Sequence, residues 1–300
     1  MPFAFDPSDR STTAAVRRIA AELLDGALAD LARPGQPAPG RVHGLRKRIK
    51  KLRGLLRLVA PRFEAFRFEN AALRDAGRLI SDLRDAEVRR ATFARLAVPG
   101  LPDAAGLGAL QRHLDAERDR IAAQDAGPAL ADLHLSLAAV RARLPDWRVR
   151  GKGFAPVAAG LARTWTQAEA ARHAAAAERA GAFRAEPFHD WRKRVKAHWY
   201  HARLLAPIWP AMMAPHVAAA DDLGEALGLH NDIAVLMTHL TGSDAAAAHP
   251  AAFAALADHA LAERARIADA ALREGARLFA GSGRALARRW AVWHADWQAG

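Results

Sequence analysis

Apolar residues recur along this chain at the spacing of one helix face, with almost no strict alternation of the kind a strand needs. In residues 42–59, Leu45, Ile49, Leu52, Leu56 and Val59 fall between about 160° and 240° from His43 at 100° per residue. Short clusters of Pro and Gly interrupt the pattern at 33–40, 98–106, 144–153, 180–187, 207–210, 241–250 and 280–283. Val, Ile, Thr and Tyr are sparse, and no Asn-Gly or Asp-Gly hairpin turn occurs. The pattern predicts an all-α protein with helices near 10–32, 41–60, 64–97, 106–144, 154–180, 187–206, 211–240, 251–279 and 284–297. Ser11 or Thr12 is the expected cap of the first helix.

The helical pattern also repeats. VHGLRKRIKKLRGLLRLV (42–59) aligns with FHDWRKRVKAHWYHARLL (188–205) at an offset of 146, and DAGRLISDLRDAEV (75–88) aligns with DLGEALGLHNDIAV (222–235) at 147. A period of this length is too long for a solenoid and fits duplication of a four-helix unit. The expectation is one domain over 10–297, made of repeats at about 10–147 and 153–297 and joined through residues 151–153.

Charge narrows the chemistry. The 300 residues carry 44 Lys and Arg against 32 Asp and Glu, a net +12, which favours an anionic partner without specifying a fold. Residues 1–150 hold 27 basic and 18 acidic side chains and residues 151–300 hold 17 and 14, so the first half is expected to hold more of any anion. With no Cys, disulfides, thiolate nucleophiles, Cys-ligated zinc and iron–sulfur clusters are excluded. No run of about 18 apolar residues and no basic-then-apolar leader occurs, so a soluble, cytoplasmic protein is expected.

His43, Arg46, Lys50, Arg53 and Arg57 occupy one stripe roughly 80° wide, opposite the apolar one. Residues 41–57 contain eight cations and no acid. Surface helices usually intersperse Glu or Asp among their Lys and Arg, so such a helix needs an anion or neighbouring acids to offset its self-repulsion. The second copy keeps His189, Arg192, Lys196 and Arg203 in register, with Lys193 matching Lys47. Trp199 stands where Arg53 does, and His198 where Leu52 does. A plain exposed basic surface is the competing reading, and repetition of the His-led stripe argues against it. His198 reads as a hydrogen-bonded interior residue, and Arg48 and Arg194 as partners of acids on an adjacent helix.

Other candidates are weaker. Asp85 and Asp232 recur in register and could form a catalytic acid pair, but ion pairing with the Arg-rich helices is the favoured role; Arg84 is either a pairing partner or a groove residue. His198 and His201 have metal-compatible spacing with no acid beside them, and H-E-x-x-H, P-loop and G-x-S-x-G motifs are absent, so no metal, cofactor or activated nucleophile is expected. The eight Trp are read mainly as packing residues, with Trp290, Trp293 and Trp297 on one buried helix face.

The pattern H-x-x-R-K-x-x-K-x-x-R at His43, Arg46, Lys47, Lys50 and Arg53 resembles the signature of CHAD (conserved histidine α-helical) domains. His189, Arg192, Lys193 and Lys196 match it again, except at Trp199. Leu83, Arg84, Asp85 and Val88, and His230, Asn231, Asp232 and Val235, resemble the second recurrent motif of that family. The resemblance runs from about residue 10 to 297. It implies a pseudo-twofold pair of helical bundles whose basic helices line a central groove or pore. The implied activity is non-catalytic binding of inorganic polyphosphate by a stand-alone domain, not one fused to a triphosphate-tunnel enzyme. Carried over by position, the polymer lies along His43, Arg46, Lys47, Lys50, Arg53 and Arg57, and along His189, Arg192, Lys193, Lys196 and Arg203. Trp199 puts an equal contribution from the second row in doubt. Association with polyphosphate granules is part of the same expectation. A nucleic-acid binder is the alternative, although the stripe lacks the aromatic platforms that single-stranded binders use; a polyphosphate-processing enzyme ranks lower.

Overall fold

The computed structural model of the chain describes residues 3–33, 39–181 and 183–299, apart from the side chains of Pro39 and Leu83. The 34–38 part of the first Pro/Gly cluster and the Leu83 side chain of the second motif therefore lie outside the described residues. The described residues form twelve α-helices: α1 (Thr12–Ala32), α2 (Pro39–Val59), α3 (Phe66–Arg78), α4 (Ser81–Leu96), α5 (Ala104–Ala122), α6 (Gly127–Arg143), α7 (Ala155–Ala180), α8 (Glu186–Leu204), α9 (Pro210–Thr241), α10 (Asp244–Ala248), α11 (Pro250–Leu278) and α12 (Gly283–Ala299). Among them there is no strand, only an isolated bridge between Phe63 and Val149. Ser11 caps α1, its hydroxyl accepting from the Ala14 amide.

Two expected long helices are each broken. The segment 64–97 divides at Leu79 and Ile80, where Ile80 turns into the core and the Ser81 hydroxyl donates to the Arg78 carbonyl. The segment 106–144 divides at 123–126, where the Asp125 carboxylate accepts from the Gly127 amide and Pro128 opens α6. Among the described residues the first half consequently holds six helices where the spacing predicts four, and the second holds six where it predicts five, the added one being the short α10.

The apolar face of α2 sits as its spacing dictates: Leu45, Ile49, Leu52, Leu56 and Val59 are at most 3% exposed. Burying five such side chains contributes on the order of 10 kcal/mol. Like-charge pairs on a helix surface cost a few tenths of a kcal/mol each. The core therefore holds α2 in place despite its cationic face. Two large clusters, and a small one of Trp199, Tyr200 and Ala220, make up the interior of the described residues. The larger joins α1, α2, α3, α6, α7, α8, α11 and α12; the second packs Phe93, Leu96, Leu110 and Leu114 of α4 and α5 against Ile233, Leu236 and Leu240 of α9. The 32-residue α9 spans both, with Met213, Leu223 and Leu227 in the larger cluster. Close backbone contact joins the halves: a Cβ on Gly160 of α7 would lie 1.5 Å from the Leu58 carbonyl oxygen of α2.

Histidines are sealed inside this core. His198 is fully buried with its Nε2 2.8 Å from Nε2 of His216, among the rings of Trp165, Phe279 and Trp290. His201 is fully buried and donates from Nε2 to the Gly54 carbonyl at 3.1 Å. Burial pushes His201 down to about 3 and His216 to about 4, and holds His198 well below the usual imidazole range. These groups stay neutral when folded and bind protons near pH 6.5 when unfolded, so their stabilisation is full above that pH and is lost as pH falls toward 4 and 3. Urea unfolding from pH 7 to pH 5 is expected to show a falling stability, at up to about 1.4 kcal/mol per pH unit for each such histidine. His201→Gln should reduce the slope. A flat profile over that window would contradict the neutral buried state.

Candidate functional site

The cationic face of α2 looks away from the larger core, and its members part company there. Lys50 is solvent-exposed, with cations of three helices around it. Burial, and then the charges of Arg46, Arg192, Lys196 and Arg84, push its ammonium down to about 8. Cations from α2, α4 and α8 thus meet around one lysine. His43 stands at the same end, exposed, and is lowered by burial and by Arg84, Lys47, Lys50 and Arg46. Arg46 is partly engaged, 3.4 Å from Asp85 and donating to the Ile80 carbonyl. Asp85 therefore takes the ion-pairing role.

Arg53 and Arg57 turn elsewhere. The Arg53 Nε donates to Asn70 of α3 at 3.1 Å, and burial and the charges of Arg74 and Arg78 depress its pKa. Arg57 is pushed down to about 10 by burial, Arg53 and Arg194. Lys47 and Arg203 lie near Lys51, whose pKa falls by burial and by Arg203, Lys47 and Arg48. The expected residues thus have different immediate partners: Lys50 has cations of α4 and α8, Arg53 has Asn70 of α3, and Lys51 has Lys47 and Arg203 near it. The helix-wheel stripe gave each residue's direction but not which neighbouring helix faces it.

The second row is more occupied than the first. Lys193 bonds Asp190, and Lys196 bonds both Asp221 and Glu225 of α9. Trp199 is buried between Lys196, 3.9 Å from its ring centroid, and Arg203, at 4.9 Å. Where the first row carries Arg53, the second thus sets an aromatic face between two cations, which attracts both. Arg192 has no acid within ion-pair distance among the described residues, and its Nε is buried without a partner. It lies along Gly228 of α9, 3.3 Å from where a Cβ would stand. His189 is half-buried; burial, Lys193 and Arg192 lower its pKa, offset in part by Asn231 and Asp190.

Further residues complete the surroundings. Arg84 on α4 is exposed, and its charge acts on His43, Lys50 and Asp232, so it faces the cluster. Asp232 makes no ion pair among the described residues; burial raises its pKa against the pull of Arg192, Asn231, Lys50 and Arg84. Ion pairing, expected of both aspartates, is found only at Asp85. Tyr200 packs its Cβ on Gly54, and burial raises its phenol to about 12 while Arg203, Arg192 and Arg57 pull it down. Its place among the cations had no signal in the spacing. Arg48 bonds Asp30 of α1 at 3.3 Å as expected, whereas Arg194 bonds an amide, Gln167, instead of an acid. Trp290 is fully buried, with Trp293 and Trp297 half-buried on the same face, and Trp209 is 45% exposed.

The family model for the CHAD domain matches residues 14–241. Among solved structures, the crystal structure of the CHAD domain from the plant Ricinus communis is similar to this chain, with 20% identity and a TM-score of 0.61 over 94% of this chain and 96% of that one. No curated protein matches the sequence.

The clustering is testable by NMR titration of the Lys50 side chain. A midpoint near 8 is expected, moving upward in Arg192→Ala. A wild-type midpoint above about 10, the range of an isolated lysine, would contradict the convergence.

Proposed function

The chain belongs to the CHAD family, and on that footing we propose that it binds inorganic polyphosphate without catalysis, in a basic groove between two repeats related by pseudo-twofold symmetry. The observation that carries this reading is Lys50, whose pKa is lowered by burial and then by Arg46 and Arg84 of its own half and Arg192 and Lys196 of the second. Like charges brought together repel, and a polyanion laid across them removes that penalty while forming charge-assisted hydrogen bonds. Arginine supplies bidentate contacts to phosphate oxygens and lysine a point charge.

Polyphosphate has about one charge per phosphate and no bases, so it asks for cations and not for stacking platforms. The aromatic residues nearest the site, Trp199 and Tyr200, are buried and occupied, in keeping with that ligand. The proposed contacts are His43, Arg46, Lys47, Lys50, Arg53 and Arg57 from one repeat and His189, Arg192, Lys193, Lys196 and Arg203 from the other, with Arg84 added from α4. Lys50, Arg84 and Arg192, which have no acid within ion-pair distance among the described residues and interact with one another, are the strongest of these. Of the acids around the cluster, Asp85, Asp221 and Glu225 are held in ion pairs, and Asp232 contacts Asn231. No helix among the described residues is long and apolar enough to cross a membrane. Residence in the cytoplasm and recruitment to polyphosphate granules belong to the same proposal.

Titration with polyphosphates of graded length is expected to give affinity that rises with chain length. Contact with about eight phosphates gives a log–log salt slope near −6, on the single-strand coefficient of roughly 0.7 per phosphate. Arg46→Ala combined with Arg192→Ala should weaken binding at least about tenfold, since a hydrogen bond to a charged group contributes about 1.5–3 kcal/mol, with helical circular dichroism unchanged. Binding that survives the double change would overturn the site. RNA competing equally at matched phosphate concentration would favour a nucleic-acid binder, and steady release of orthophosphate would mean an enzyme.

A further inference from the structure

The two rows of cations differ in how their central lysines are neutralised. Lys50 has no acid within ion-pair distance among the described residues, and Arg46, Arg84, Arg192 and Lys196 surround it. Lys196, its aligned counterpart, has a side chain only 19% exposed; its Nζ donates to Asp221 at 3.0 Å and to Glu225 at 2.9 Å. These acids stand four residues apart on α9, so they lie on one face a turn from each other. Gly224 lies between them in sequence, and a Cβ there would sit 2.4 Å from Lys196 Cδ, so the lysine stem needs that glycine to reach both carboxylates. The Trp199 ring, 3.9 Å from Nζ, closes another side.

The alignment at an offset of 147 makes this more pointed. Asp221 falls opposite Arg74 and Glu225 opposite Arg78, with Gly224 opposite Gly77. In the first half those positions place two arginines beside Arg53, both paired with Asp75. In the second they put two carboxylates on Lys196, and Glu225 also feels Arg192 and Lys50. Charge at two matched sites is reversed, and the acids occupy the Lys196 ammonium.

We infer that Asp221 and Glu225 are an internal competitor for the cationic site, specificity-determining residues that make binding depend on the length of the incoming polyanion. A short anion meeting Lys196 must displace two carboxylates already held on one face, and gains few other contacts in return. A long chain anchors first on Lys50, Arg84 and Arg192, which have no acid within ion-pair distance among the described residues, so the segment reaching Lys196 competes intramolecularly at high effective concentration. The acids thus weaken binding of short chains much more than of long ones.

This inference rests on the polyphosphate reading, and one experiment separates the two. Tripolyphosphate and a chain of about a hundred phosphates are titrated against the wild type and against Asp221→Asn combined with Glu225→Gln. The side chains are near-isosteric and the acids are 41% and 75% exposed, so the fold should be kept; thermal melting checks this. The expected result is a gain of about tenfold for tripolyphosphate, a gain of threefold or less for the long chain, and a long-chain salt slope steeper by about 0.7 as Lys196 becomes free to neutralise a phosphate. Equal gains for both lengths would mean a general charge effect and would overturn the inference. So would unchanged or weaker binding, which would make the acids positioning groups for Lys196. If the wild type binds the long chain and the variant differs in none of these respects, this inference alone is lost. If the wild type binds no polyphosphate, the underlying reading goes with it.

Discussion

Repulsion among like charges brought together by the fold is the constraint from which the rest of this molecule can be understood. Lys50, Arg46, Arg84 and Arg192 are carried by three helices, and burial together with the charges of its neighbours depresses the Lys50 ammonium to about 8. A solvated surface spreads such charges or intersperses acids. Here the backbone is fixed by apolar contacts on the far side of each helix, so the cations cannot relax apart without unpacking the core.

That opposition explains local choices in the sequence. The face of α2 opposite the cations is entirely aliphatic, and its burial outweighs the surface repulsion by an order of magnitude. Gly54 lets α8 close on α2, with the Tyr200 Cβ against it and the His201 ring donating to its carbonyl. Where an aromatic ring or acids could relieve the charge, α8 and α9 supply Trp199, Asp221 and Glu225. The first half has little of this relief and is the more exposed to an external anion. What relief there is comes from Asp85 on Arg46, Asp30 on Arg48 and Asp75 on Arg74 and Arg78.

Much of this was legible from residue spacing. The apolar stripe of α2, the all-α class, the Ser11 cap, the interior place of His198 and the Arg48–Asp30 pairing all follow from local period and charge. What escaped is what tertiary packing decides. The break at Leu79–Ile80 carries no Gly or Pro at the junction itself, and Ile80 turns inward to fill core space. The Asp-Ala-Gly-Pro at 125–128 did carry a turn signal, but it was masked by a strong helical pattern on both sides. A helical wheel gives one helix's directions only. It could not tell that Arg53 would meet α3 while Lys50 met α8, or that Arg84 and Tyr200 would join the cations from other elements.

The central claim is that an unrelieved cluster of cations waits for an extended anion. Thermal unfolding of the intact chain at low salt measures this directly, with long-chain polyphosphate and orthophosphate compared at the same total phosphate. A ligand bound only by the folded state raises the melting temperature by mass action. The account predicts a rise of several degrees with the long chain and almost none with orthophosphate. No rise with the long chain, or an equal rise with both, would contradict it.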